Sequence, residues 1–71
     1  MKTYKEIGAF MKAARIKKGL TQKEFGLAIG IDSDSVDAYI RTVENGRTHP
    51  PYARLRTIAE VLDVSVYDLI P

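Results

Sequence analysis

The sequence predicts an all-α domain of five helices. Three features predict it: apolar residues recur at helical intervals, Thr-x-x-Glu boxes stand before periodic runs, and glycines fall where those runs stop. No strand-like alternation, internal repeat or low-complexity tract interrupts the pattern. At 71 residues, 45% of them hydrophobic, the chain suits one compact core small enough to be marginal. Residues 1–71 are therefore read as a single domain.

The first helix is expected from about Tyr4 to Lys18, opened by a capping box of Thr3 and Glu6, with Ile7, Phe10, Met11 and Ala14 facing inward. Gly19 ends it. A second box, Thr21 with Glu24, opens a short helix whose Phe25, Ala28 and Ile29 form one apolar stripe, while Gly26 beside them allows a neighbouring backbone to approach closely. In the third helix Val36, Ile40 and Val43 recur at i, i+4 and i+7, leaving Asp34, Ser35, Ala38, Arg41, Thr42 and Asn45 on the opposite surface. Gly46 supplies its left-handed end, and Pro50 and Pro51 delay the next start. Tyr52, Leu55, Ile58, Ala59 and Leu62 mark the fourth helix. Ser65 with Asp68 is expected to cap a short fifth one carrying Val66, Leu69 and Ile70. Thr57-x-x-Glu60 also fits the capping pattern but lies inside the fourth helix's apolar period, so it is not read as a start.

The second and third helices, joined by a turn, are a helix-turn-helix, and its free polar face points at DNA. RIKKGLTQKEFG, the later ENG and the closing IAEVLDVSVYDLI resemble the phage Cro and repressor (XRE) family of DNA-binding domains, from about Ile7 to Ile70. The resemblance implies a compact five-helix, lambda-repressor-like fold. It implies that Gln22 hydrogen-bonds a DNA phosphate and that Arg15 pairs with Glu44 to tie the first helix to the recognition helix. Counting back from Glu44, it places Asp37, Ala38, Arg41 and Thr42 against base edges with Tyr39 on the flank. It also puts Asn45, Arg47, Thr48 and His49 in a loop that touches phosphates in similar proteins. One departure stands out: Gly30 and Glu44 are 14 positions apart, longer than the family's usual spacing by ~4 residues, about one helical turn. The insertion either lengthens the recognition helix or enlarges the turn.

The net charge of +2 conceals an asymmetry. Residues 1–23 carry seven Lys or Arg against Glu6 alone, residues 24–45 carry Arg41 against five acids, and the remainder balances. Phosphate binding releases counterions and needs cations at the rims of the motif, which Lys17, Lys18, Lys23 and Arg47 supply. Asp32, Asp34 and Asp37 oppose that. One of Asp32, Ser33 or Asp34 can cap the third helix while its neighbours complement the macrodipole. Alternatively Asp37 accepts from a cytosine N4 amine, or the acids face a protein or repel DNA. Asp32-x-Asp34 begins like a calcium loop, but the Gly and bidentate Glu such a loop needs are missing from their places.

Arg41 is the strongest base-reading candidate, because a guanidinium can take guanine O6 and N7 together. Its bland alternative is a solvated pair with Asp37 one turn back. Tyr39 either stacks on sugar–phosphate or roofs the contact between helices. His49 has no ligand or catalytic partner nearby in sequence and is read as a surface-loop residue.

These features predict a sequence-specific double-stranded DNA-binding regulator, a repressor acting as a homodimer, with Val66, Tyr67 and Ile70 as its dimer face. The alternative is a protein-interaction module of the same fold, an antitoxin or antirepressor that uses the acidic surface. No nucleophile–base pair, phosphate-cradling loop or metal cluster is visible, so neither an enzyme nor a cofactor is expected. The chain has no cysteine, which removes disulfides and thiolate chemistry. No apolar run approaches the ~20 residues of a membrane span and the N-terminus lacks a signal-peptide core, so a cytoplasmic protein is expected.

Overall fold

Local chemistry sets the helix starts. In the computed structural model, which describes residues 1–71, Thr3 Oγ1 accepts from Glu6 N at 3.0 Å while Thr3 N donates to Glu6 Oε1 at 2.9 Å, opening α1 (Tyr4–Lys17). Thr21 and Glu24 repeat the exchange at 3.0 and 2.8 Å to open α2 (Gln22–Ala28). Both carboxyls are held below the ordinary glutamate range, first by the threonine backbone N–H and then by the hydroxyl. There follow α3 (Val36–Glu44) and α4 (Tyr52–Leu62), and no strand forms. The expected fifth α-helix is instead a single 3-10 turn, Val66–Leu69. The physical reason is Pro71, which forces Ile70 into extended backbone at φ −111°, ψ 136° and stops the chain from winding further.

All four α-helices stop in the same way. A residue in the left-handed region, Gly19, Gly30, Gly46 or Asp63, turns the chain. The following amide then reaches back five residues: Leu20 to Arg15, Ile31 to Gly26, Arg47 to Thr42 and Val64 to Ala59, at 3.0 to 3.2 Å. The last carbonyls of each helix are thereby satisfied, and each helix length is fixed by a residue legible in sequence or, at Asp63, by one of the few side chains that tolerate this backbone.

The core gathers Ile7 and Met11 of α1, Phe25 of α2 with Ile29 at its C-terminal cap, Ile40 and Val43 of α3, Leu55, Ile58, Ala59 and Leu62 of α4, and Leu69. Seven residues are too few for an isolated helix in water. Phe25, fully buried, holds α2 in place, a burial worth about 1.5–3 kcal/mol. Three expected core positions are corrected. Phe10, Ala28 and Tyr52 are exposed, because each lies at the edge of its helix's apolar stripe, and the core is taken by Met11, Ile29 and Leu55.

Glycines govern the closest approaches. A side chain at Gly8 would place its Cβ 2.5 Å from the Glu44 carbonyl oxygen and 2.6 Å from that of Val43, so α1 lies directly on the end of α3. One at Gly46 would meet the Lys5 backbone at 2.5 Å. Gly26 also sits at a close contact, but where the sequence predicts a neighbouring backbone, its neighbours are the side chains of Val36 and Ile40.

Candidate nucleic-acid interface

The α3 helix is fastened to the domain at its C-terminal end. Arg15 of α1 and Glu44 of α3 are both buried, and Arg15 Nε donates to Glu44 Oε2 at 2.6 Å while Nη2 reaches Oε1 at 3.2 Å. Arg15 Nη1 donates to the Leu20 carbonyl at 2.8 Å, and Gln22 Nε2 of α2 donates to Glu44 Oε1 at 3.2 Å. Side chains from α1 and α2 thus converge on one α3 carboxylate, the turn carbonyl of Leu20 takes a further Arg15 donor, and no buried side-chain polar atom lacks a partner. The Arg15–Glu44 pairing implied by the family resemblance is therefore present. Gln22 is half-buried and points part of its amide at this network, leaving its second N–H for a partner outside.

The N-terminal end of α3 is held differently. Residues 29–35 separate α2 from α3, so the four-residue insertion enlarges the turn and does not lengthen the helix. None of Asp32, Ser33 or Asp34 caps α3. Its cap position is Ser35, whose backbone, at φ −99° and ψ 19°, lies outside the extended region where a cap side chain can reach forward, and it makes no capping bond. Ser33 Oγ accepts from Ser35 N at 3.1 Å instead, closing the turn locally. Asp34 and Ser35 thus precede the helix and are not part of its face. Asp32, Asp34 and Asp37, with Lys23, Ser33 and Leu27, line an open polar hollow between the turn and α2.

On α3, Val36, Ile40, Val43 and Glu44 face inward, and Ala38 and Arg41 stand exposed with Asp37 and Thr42 half-buried between them; Asn45, at the C-terminal cap just past the helix, is exposed as well. Arg41 lies 3.8 Å from Asp37, with side chains 57% and 51% exposed. A pair this open is worth about 0.3 kcal/mol, so Arg41 is free to exchange it for another partner. The Thr42 hydroxyl donates to Ala38 O at 3.0 Å. Tyr39, on the flank, is half-buried, and its hydroxyl accepts from Arg54 Nη1 of α4 at 3.2 Å while the guanidinium lies 5.3 Å from its ring centroid. It roofs the α3–α4 contact and keeps one edge at the surface.

In the loop after α3, Arg47 is exposed and Thr48 half-buried. His49 does not stand free there. Its ring stacks on Tyr4 with centroids 4.5 Å apart and planes 6° from parallel, and partial burial pushes its pKa down. Lys23 is exposed at the start of α2, and Lys17 and Lys18 at the end of α1, where Lys18 approaches Asp63 at 3.8 Å.

Two residues that matter here escape the sequence patterns. Gly8 carried a signal, being a glycine in the middle of a helical run. Arg54 carried none, since its partner lies 15 residues away on another helix. Along the rest of the terminal segment Ser65 does cap the 3-10 turn, but through Tyr67 N at 3.2 Å and not with Asp68. Tyr67 is 77% exposed there, with Val66 and Ile70 half-buried.

Asp32, Asp34 and Asp37 do not form a group able to hold a metal ion, and no helix is long and apolar enough to cross a membrane. Residues 11–69 match the model of a protein family described as helix-turn-helix. No curated protein and no solved structure matches the chain.

Proposed function

The chain belongs to the helix-turn-helix family, of XRE type, and from that premise we propose that it is a sequence-specific double-stranded DNA-binding transcriptional regulator, a repressor that reads an operator with α3. One observation carries the reading: α3 presents Ala38 and Arg41 outward, with Asn45 exposed at its cap, while its far side is locked to α1 and α2 through Glu44. A rigid helix with a free polar face is what entry into a major groove requires. Arg41 takes guanine, Asp37, Ala38 and Thr42 meet neighbouring base edges, and Tyr39 lies along the groove wall. Gln22, Lys23, Asn45, Arg47 and Thr48 contact phosphates from the rims, and His49 braces the loop against Tyr4 beside them.

The operator is palindromic and the protein binds it as a homodimer, since two recognition helices one turn apart, ~34 Å, double the contact. The exposed Tyr67 with Val66 and Ile70 forms the dimer face. Light scattering at high concentration that finds only monomer would rule that face out. The function itself is tested by a salt titration on random duplex DNA and on a pool selected from random sequence. Each phosphate neutralised contributes about −0.9 to the log–log slope. A steep slope with enrichment of a palindrome supports the reading.

A protein-interaction module, an antitoxin or antirepressor, is the second reading. It is favoured by the hollow between α2 and the enlarged turn, whose walls carry Asp32, Asp34 and Asp37 against Lys23 alone. Absence of binding to either DNA pool at low salt would favour it.

A further inference from the structure

Arg54 is the one arginine that is fixed in place without a carboxylate among the helices around α3. Arg15 is neutralised by Glu44 and Arg41 lies near Asp37, whereas Arg54 forms no ion pair. It is half-buried and anchored by one hydrogen bond to a neutral phenol, with its guanidinium beside the Tyr39 ring. Of its five N–H donors one is used. A restrained guanidinium with full charge and spare donors is a preorganised receptor for an oxyanion.

Its position says which one. At about 100° per residue, Tyr39 and Arg41 fall some 200° apart around α3, on opposite sides of Ile40. Gln22 of α2 reaches Glu44, which lies on the Arg41 side of the helix axis, and Arg54 of α4 reaches Tyr39 on the other side. A helix lying in the major groove has a sugar–phosphate strand along each flank. Gln22 and Lys23 serve one strand only.

We infer that Arg54, held by Tyr39, is a phosphate-binding site for the second strand. This rests on the DNA-binding reading above. Tyr39 then acts through Arg54: its ring and hydroxyl orient the guanidinium, and neither reads a base.

The test is the salt dependence of binding to random duplex DNA for the wild type and variants of the full chain. Arg54→Met, which keeps the aliphatic stem and removes the charge, is expected to reduce the slope by about 0.9 and to weaken specific and random DNA by the same factor. Arg54→Lys keeps the slope. Tyr39→Phe keeps the slope too, since the charge remains, but weakens binding to all sequences alike. Should Arg54→Met fail to fold in a thermal melt, Arg54→Gln, which retains a donor to Tyr39, reads the same loss of slope. A wild type that binds while Arg54→Met or Arg54→Gln leaves its slope unchanged overturns the role of Arg54 and leaves the regulator reading standing. A wild type that binds neither pool overturns both.

Discussion

The two ends of α3 are held by opposite means. At the C-terminal end, Glu44 is buried among Arg15 and Gln22, Gly8 lets α1 lie on the helix carbonyls, and Gly46 turns the chain against the Lys5 backbone. At the N-terminal end the helix begins without a capping side chain, after a seven-residue turn whose last four residues, 32–35, are exposed and include Asp32 and Asp34. The first end fixes where α3 points. The second end is where the chain can change in length and charge with less effect on the fold, since the side chains of residues 32–35 are exposed and their ties to α3 are backbone bonds, Val36 N to Ser33 O at 3.2 Å and Tyr39 N to Ser35 O at 2.9 Å.

Breaking the C-terminal anchor should cost most. Glu44→Ala leaves the Arg15 charge buried and unpaired, a loss of about 3–5 kcal/mol. That is a large share of a small domain's stability, on the order of 5–10 kcal/mol. Urea denaturation should show it, and Arg15→Met combined with Glu44→Leu should recover much of the loss. A near-wild-type Glu44→Ala would mean that the network does not fasten the helix. Gly8→Ala comes next. An alanine inside a helix normally gains about 0.5–1 kcal/mol over glycine, but here its methyl meets two carbonyl oxygens, and the expected change is a loss of about 1–3 kcal/mol.

Smaller changes separate the two helix starts of the motif. Thr21→Ala removes the α2 cap and should lower stability by about 1 kcal/mol. Ser35→Ala removes nothing that caps α3 and should stay within about 0.5 kcal/mol of wild type. Equal effects at the two positions would mean that α2 and α3 are started alike. The pH dependence is smaller still. Glu6 and Glu24 titrate below their ordinary value in the fold, so their contribution is complete above that value and is lost as pH falls through the folded pKa. His49, also shifted down, favours the fold in its neutral form; its contribution is complete above its ordinary value and declines as pH falls toward the lowered one. Thermal melts across acidic and near-neutral pH would follow the two groups separately.

What the sequence discloses follows the range of the interaction. Thr3–Glu6, Thr21–Glu24 and the glycines after α1 and α3 act within a few residues, and each is legible; Gly30, which ends α2 in the same way, is read from sequence only for its spacing to Glu44. Apolar periodicity located the helices but misjudged Phe10, Ala28 and Tyr52, because a repeat defines a stripe's centre better than its edges. The Arg15–Glu44 pair became visible only through family resemblance, its partners being 29 residues apart. Arg54 with Tyr39 and His49 with Tyr4 depend on how α1 and α4 pack around α3, and no local pattern encodes that. The turn stayed ambiguous because an added helical turn preserves phase whether it is wound or left open. Ser35 and the unwound residues before it resolve the choice.

The most direct test of α3 as a reading helix is the ratio of affinities for a selected operator and for random DNA, measured for the wild type, Gln22→Ala and Arg41→Ala. Gln22→Ala should weaken both alike, whereas Arg41→Ala should lower the ratio itself by ~1–3 kcal/mol, with discrimination relaxed at one base pair. Equal losses on specific and random DNA for Arg41→Ala would contradict α3 as the reading helix.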